Sequence, residues 1–261
     1  MRNKLSAVLV LAGSLLLAGC FDVEQSLVLD KDLSGKAGFT MKVNFEPMVL
    51  MMLRMQREMQ DQKGEPTAAE IEKAKQDFLA QKKSEDKPDM AKEKAEMQKN
   101  LPPGVKLLDA SMKDEGLQMA VNLDLGFDHV SKLKQVHLSK PKEGEEQAAP
   151  GPQNPFDEPF SSLDIQEQGN TILVTSKPTN PMAQQEEQMG GEMTPEMQKQ
   201  MEEAFKGLRI AWKIQAPFEV IEHNATRKEG NTLIWEYTLD TFKKMKPGET
   251  PPPIRVKYKK G

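Results

Sequence analysis

Apolar residues recur at every second position in a series of short segments along this chain of 261 residues, and this period of two constrains the fold more than any other feature. The longest such run consists of Leu117, Met119, Val121, Leu123 and Leu125. Side chains of a strand alternate between the two faces of a sheet, so this period predicts strands with one buried face. Clusters of Asp, Ser, Asn and Gly between the segments predict tight turns. The chain is therefore predicted to form a series of β-hairpins.

About ten strands are predicted from this pattern. They cover residues 22–29, 39–45, 105–107, 117–125, 163–165, 172–174, 210–216, 218–220, 233–237 and 254–258. The regular strand–helix–strand repeat that connects parallel strands is missing from the sequence. The predicted fold class is therefore α+β, with a mainly antiparallel sheet built from sequential hairpins and helices packed on one side.

The period of the apolar residues changes from two to about 3.6 after the second predicted strand. This change predicts a helix over residues 47–60, a second that begins at the capping box Thr67 to Glu70, and a third that begins at Asp89. Together these helices form an insertion over about residues 47–100. The insertion is strongly charged and only thinly apolar, so we expect one-sided contact with the rest of the domain.

Two more helices are predicted in the second half of the chain. A short helix is expected near residues 127–136, and Thr194 and Pro195 occupy the cap and first-turn positions of a longer one. The apolar side of the longer helix carries Met193, Met197, Met201, Ala204 and Leu208.

Two polar segments, over about residues 140–159 and 177–192, interrupt the predicted elements. The first holds five prolines among acidic residues, a composition typical of mobile loops. Hydrophobic residues make up 37% of the chain and aromatic residues 5%, so a core can form but is diluted by polar segments. We predict one domain over residues 20–261, preceded by a removable leader over residues 1–19.

The leader has the pattern of a secretory signal peptide. Arg2 and Lys4 precede an apolar stretch from Leu5 to Leu17, which is too short to span a bilayer as a helix. The stretch ends in Leu17-Ala18-Gly19-Cys20, which resembles the bacterial lipoprotein signal, and Cys20 is the chain's single cysteine. The resemblance implies cleavage between Gly19 and Cys20 and acylation of Cys20, which would attach the protein to a membrane. Phe21, rather than Asp, follows the cysteine, and by resemblance to proteobacterial sorting this favours the outer over the inner membrane.

Two further segments carry a recognisable pattern. One begins at Gly207-Leu208-Arg209-Ile210, continues through Ala216-Pro217-Phe218 and Asn224 to Gly230-Asn231-Thr232 and Trp235, and ends at Tyr237. The other is the turn from Leu29 to Gly35 that follows the N-terminal strand. Both resemble bacterial lipoproteins that carry an LppM-type domain. The resemblance covers about a quarter of the chain and implies an envelope-anchored α+β domain without known catalysis. It transfers no active-site residue.

The first helix carries five methionines within about 100° of one face, which we call the Met face: Met48, Met51, Met52, Met55 and Met59. Three interpretations remain open for it. The Met face packs against the sheet; it forms a hydrophobic groove for a lipid or a protein partner; or Met51, Met55 and Met59 bind Cu(I), a soft cation that thioethers favour.

Composition and motifs exclude several other functions. The net charge of −4, or about −6 without Arg2 and Lys4, provides no basic footprint for nucleic acid. His129 and His137 lie eight residues apart, outside the usual zinc-ligand spacings, and His223 fits an exposed turn. The chain lacks a nucleophile elbow, a phosphate-binding loop and a dinucleotide fingerprint. We therefore expect a non-enzymatic, lipid-anchored envelope lipoprotein without a cofactor, which binds another envelope component of unknown identity. Alternatively, the protein is a carrier of lipid or acyl chains.

Overall fold

A computed structural model describes residues 21–62, 64–84, 89–136, 160–177, 195–245 and 249–260. The predicted signal peptide and its cleavage site at Gly19 and Cys20 lie outside the described residues, as do His137, Met193 and Thr194. The predicted loop over residues 140–159 lies outside them as well, and so does all of the second loop except Lys177.

Seven strands form the larger sheet, which we call sheet A. In chain order they are β1 (Phe21–Leu29), β2 (Gly35–Asn44), β3 (Val105–Glu115), β4 (Gln118–Phe127), β7 (Arg209–Gln215), β9 (Arg227–Glu229) and β10 (Thr232–Thr238). Their order across the sheet is β3-β4-β2-β1-β7-β10-β9. Every neighbouring pair is antiparallel except β1 and β7, which run parallel with Asp22 opposite Arg209. The N-terminal strand therefore occupies the centre of the sheet.

Four strands form a second sheet, sheet B, with the order β5-β6-β11-β8 and antiparallel pairing throughout. They are β5 (Leu163–Gln168), β6 (Thr171–Ser176), β8 (Glu219–His223) and β11 (Ile254–Lys259). The α+β class predicted from the sequence is confirmed, but its strands are divided between two sheets. The described residues contain eleven strands because β9, which the sequence pattern did not reveal, is added to the predicted ten.

One continuous hydrophobic core joins the inner faces of the two sheets. Alternate residues of β1, β7 and β10 point into it, among them Leu27, Ile214 and Leu233. Sheet B contributes Ile172, Val174 and Val256, each fully buried. Trp212, Trp235 and Tyr237 are also buried in this core.

Five α-helices and one 3₁₀ helix are described. They are α1 (Glu46–Met59), α2 (Ala68–Ser84), α3 (Met90–Asn100), the 3₁₀ helix Val130–Gln135, α4 (Pro195–Ala204) and α5 (Leu239–Lys243). The predicted capping box at the start of α2 is present, because Thr67 Oγ1 accepts from the Glu70 amide at 3.3 Å while Glu70 accepts from the Thr67 amide at 2.7 Å. Asp89 caps α3 by accepting from the amides of Ala91 and Lys92.

The helices of the insertion make two different contacts. Helix α3 lies against the edge strand β3, where the Gln98 side chain accepts a hydrogen bond from the backbone amide of Leu107 at 3.0 Å. An exposed strand edge invites pairing with other chains, and α3 covers part of this edge. Helix α1 packs instead against α2 and α4, and Val49 is its one buried residue.

Several element boundaries differ from those predicted. Strand β3 continues through residues 109–115, so the turn to β4 is reduced to Gly116 and Leu117, with Gly116 at a φ of 76°. Helix α4 ends at Ala204, and Leu208 lies buried just before β7 rather than on the helix. The short helix predicted near residues 127–136 is the 3₁₀ helix. It begins only at Val130, because Phe127 still belongs to β4.

The Asn224 side chain connects sheet A to sheet B. Its Oδ1 accepts from Trp235 Nε1 of β10 at 2.7 Å and from the Arg255 amide of β11 at 2.9 Å. Its Nδ2 donates to the Pro253 carbonyl at 2.8 Å. One amide group thus supplies the partner for the indole of a core tryptophan and fixes the start of β11.

We expect Asn224→Ala to lower the free energy of unfolding by about 1 to 2 kcal/mol, because the buried Trp235 N–H and the Arg255 amide lose their acceptor. Urea denaturation followed by tryptophan fluorescence would measure the change. Asn231→Ala is the matched control, because Asn231 is exposed in the turn before β10, and we expect a change within about 0.5 kcal/mol. Equal losses in both variants would show that the Asn224 bridge does not connect the sheets energetically.

Candidate functional site

The outer face of sheet A, opposite the core, carries a group of ion pairs beside the first residue of β1. Arg209 Nη1 lies 2.7 Å from Asp22, its Nη2 lies 3.0 Å from Glu24, and its Nε lies 3.0 Å from Glu236. Lys213 lies 2.8 Å from the second oxygen of Glu24. One guanidinium therefore links β1, β7 and β10, and its planar fork suits several carboxylates at once.

The charges of this cluster stabilise one another although they are partly removed from water. Burial alone would raise the pKa of Glu24, but hydrogen bonds from Lys213 and Arg209 outweigh burial and hold that pKa below its usual value. Burial likewise disfavours the guanidinium charge, yet hydrogen bonds to Asp22, Glu236 and Glu24 raise the pKa of Arg209. Glu24 and Arg209 are therefore both charged at neutral pH.

Strand periodicity explains why these residues meet. Asp22 and Glu24 alternate with the core residue Val23, and Arg209 and Lys213 alternate with Trp212 and Ile214. The apolar pattern of the sequence does not reveal this cluster. Charged residues two positions apart in β1 and β7 are its one local signal, and the parallel pairing of β1 with β7 is needed to bring the charges together.

Ion pairs of two arginines connect α1 to α4 and α2, beside and opposite the Met face. Arg54 Nη1 bonds Glu203 of α4 at 2.6 Å, and Arg57 pairs with Glu70 of α2. Arg57 lies about 160° around the helix from Met55. Met52 is 45% exposed and Met59 is 80% exposed, so these two side chains are not packed against the sheet.

The remaining methionines of this face, Met48, Met51 and Met55, are half-buried. The structure thus brings the five residues onto one face as predicted, and Met52 and Met59 are its two exposed members. Cu(I) binding by Met51, Met55 and Met59 stays a prediction, and Met59 is the most exposed of the three.

A surface cleft of about 320 Å³ lies between the end of β7 and the start of β8. Its lining consists of Ala216, Phe218, Glu219, Val220, Lys228 and Asn231. None of the residues proposed from the sequence as ligand contacts lines it. His223, predicted as an exposed turn residue, is indeed exposed, and its Nδ1 accepts from the Ala225 amide at 3.1 Å.

Two further observations apply to the described part of the chain. It contains no group of three or more His, Cys, Asp or Glu side chains placed to hold a metal ion. None of its helices combines the length and the apolar character needed to cross a membrane.

We expect Arg209→Ala to lower the free energy of unfolding by about 2 kcal/mol at neutral pH, because three partly buried carboxylates lose their shared partner. The folded-state pKa of Glu24 is depressed, so its contribution is present at neutral pH and is lost as the pH falls through that pKa. The difference in the free energy of unfolding between wild type and variant should therefore shrink as the pH falls from about 7 to about 3, as measured by urea denaturation.

Arg255→Ala is the control for this experiment, because its pair with Glu222 spans 3.8 Å with both side chains more than half exposed. We expect a loss below about 0.5 kcal/mol for that variant. If the loss in free energy of unfolding caused by Arg209→Ala were the same at every pH, carboxylate ionisation would not be its cause.

Comparisons with known proteins gave few matches. No protein-family model matches the chain, and no curated protein matches it. The chain is similar to the solved folded domain of LppM from Mycobacterium tuberculosis, determined by NMR, with 10% sequence identity over 93% of this chain and 92% of that one. The TM-score of 0.43 does not assign the chain to the LppM family.

Proposed function

We propose that this protein is a lipid-anchored bacterial envelope lipoprotein whose α+β domain is a non-enzymatic binding module. The observation that carries the proposal is the sequence Leu17-Ala18-Gly19-Cys20, which follows an apolar stretch of signal-peptide length and directly precedes β1. The cysteine is acylated and becomes the first residue of the mature chain. The residue Phe21 at the next position favours the outer membrane.

The chemistry of Cys20 supports this assignment. Stable attachment needs at least two hydrophobic anchors, because one acyl chain gives only marginal binding to a bilayer. Acylation of both the thiol and the new amino group supplies them on a single residue. Cys20 is also the only cysteine in the sequence, so a disulfide within the chain does not compete for its thiol.

The roles of the titratable groups support a binding module. Where carboxylate pKa values are lowered, the partners are structural: hydrogen bonds from Thr67 at a helix start lower that of Glu70, and a hydrogen bond from Lys132 lowers that of Asp128. Catalytic acids and bases are instead tuned towards the working pH by burial or by like charges. We therefore propose binding, with another envelope protein as the partner.

The exposed part of the Met face favours a second candidate function, a carrier of lipid or acyl chains. Met52 and Met59 expose flexible apolar side chains on a helix that is held by ion pairs on its other side. Such side chains adapt to apolar ligands of irregular shape. Native mass spectrometry of the protein from an envelope fraction distinguishes the candidates, because a carrier would retain about one extractable lipid per chain besides the covalent acyl groups.

We expect radiolabelled palmitate to label the wild-type protein and not Cys20→Ala, because the thiol and the newly formed amino group both belong to Cys20. Label incorporation followed by gel autoradiography measures this. Met59→Ala is the control and should be labelled like the wild type. Label on Cys20→Ala, or none on the wild type, contradicts the anchor.

A further inference from the structure

Strand β1 begins at Phe21, the residue that follows Cys20, so the proposed anchor is attached to the sheet without a linker. Consecutive Cα atoms are about 3.8 Å apart. An acylated Cys20 would therefore hold the Phe21 end of sheet A at the lipid headgroups, and the elements that end there would lie at the membrane surface. We call this the anchored end of sheet A.

The strand register shows which side chains share the anchored end. Asp22 lies opposite Lys42 of β2, Lys42 lies opposite Ala120 of β4, and Ala120 lies opposite Lys113 of β3. Residues in one transverse row of a sheet point to the same face. Lys42 and Lys113 therefore stand on the outer face in the row of Asp22, the second residue of β1.

Two more lysines lie at the anchored end on the other side of β1. Lys206 is in the turn between α4 and β7, three residues before Arg209, which pairs with Asp22. Lys244 is the residue after α5. That helix follows Thr238 of β10, which pairs with Arg209 at the start of β7. Lys42, Lys113, Lys206 and Lys244 are all exposed.

The four lysines differ from several of the described charged side chains around them in having no ion-pair partner. Asp22 pairs with Arg209, Asp114 with Lys82, and Glu202 with Lys243. Within the described residues, the four lysines take part in no ion pair, and their strands and helices also carry the exposed carboxylates Glu115 and Asp240. The positive charges of the four lysines are therefore available to an anionic partner at the end of the sheet nearest the anchor.

We propose that Lys42, Lys113, Lys206 and Lys244 form a basic collar that binds the anionic phospholipid headgroups around the acylated cysteine. The inference rests on the proposed lipid anchor and adds the orientation of the domain on the membrane. A basic patch beside an acyl anchor is attracted to anionic lipid, and the attraction falls off within a Debye length, about 10 Å at 0.1 M salt. Only lysines close to the anchor therefore contribute.

The same two strands supply matched controls at the opposite end of the sheet. Lys36 of β2 and Lys106 of β3 both lie in the row of Val28, on the same outer face as Lys42 and Lys113, and both are exposed. Lys36 and Lys42 are six positions apart along β2, a distance of about 20 Å. That distance is about twice the Debye length, so Lys36 and Lys106 should not sense the membrane.

Amine acylation read by mass spectrometry tests the collar on the full lipidated protein. The protein is reconstituted into vesicles of phosphatidylcholine alone or of phosphatidylcholine with phosphatidylglycerol, and vesicle-bound protein is collected by flotation. We expect acylation of Lys42 and Lys113 to be about fivefold slower on the anionic vesicles, the factor that corresponds to the attraction of one lysine to an anionic surface. Lys36 and Lys106 should react equally on both, and high salt should abolish the difference.

A pair of double variants gives a second readout. Lys42→Gln with Lys113→Gln should weaken the protection of Lys206 and Lys244 on anionic vesicles, whereas Lys36→Gln with Lys106→Gln should leave it unchanged. Equal reactivity of the four collar lysines on both kinds of vesicle overturns the collar, and so does equal protection of Lys36 and Lys106. Failure of the wild-type protein to float with neutral vesicles instead contradicts the anchor itself, so the two failures are distinguishable.

Discussion

The parallel pairing of β1 with β7 joins segments of chain that lie almost as far apart in sequence as the domain allows. Asp22 and Arg209 meet across this pair although 187 positions separate them. On one side of the pair lie β2, β4 and β3, all from the first half of the chain, and on the other lie β10 and β9 from the second. Without β1, each half of sheet A would present an open edge.

The register of that pair also sets the different character of the two faces of sheet A. On the inner face it aligns Val23 and Leu27 with Ile210 and Ile214, and these side chains join the core shared with sheet B. On the outer face the same register brings Asp22 and Glu24 within reach of Arg209. A slip by one residue would exchange the faces and leave these charges in the core. The ion cluster and the core therefore favour the same alignment.

Most strands could be predicted because their apolar residues alternate strictly, as in the run that became β4. Strand β9 could not, because Arg227, Lys228 and Glu229 are all exposed and show no apolar period. The extension of β3 was missed because the register shifts between Leu107 and Asp109, which interrupts the alternation before Ala110 and Met112. Helix α5 has five residues, too few for a helical period, although Thr238 and Thr241 form its capping box.

The candidate site was less accessible from the sequence than the fold. The Met face was visible because a helical stripe of one residue type is local information, but its exposure depends on which side of α1 meets α2 and α4. Arg54 and Arg57 form ion pairs with Glu203 of α4 and Glu70 of α2 on that side. From the sequence alone, both arginines are expected to be solvated charges. The ion cluster of sheet A was invisible because it depends on strand pairing, which connects residues that are distant along the chain.

The central position of β1 bears on the proposed anchor. A lipid anchor attached through a long linker leaves a domain free to rotate, whereas here the residue after Cys20 is already paired into the middle of a sheet. An acylated Cys20, as proposed, would leave only its own backbone and its acyl linkages between the sheet and the bilayer. The cleft at Ala216 and Phe218 lies near the opposite end of β7, so the proposed anchor would hold the cleft away from the bilayer surface.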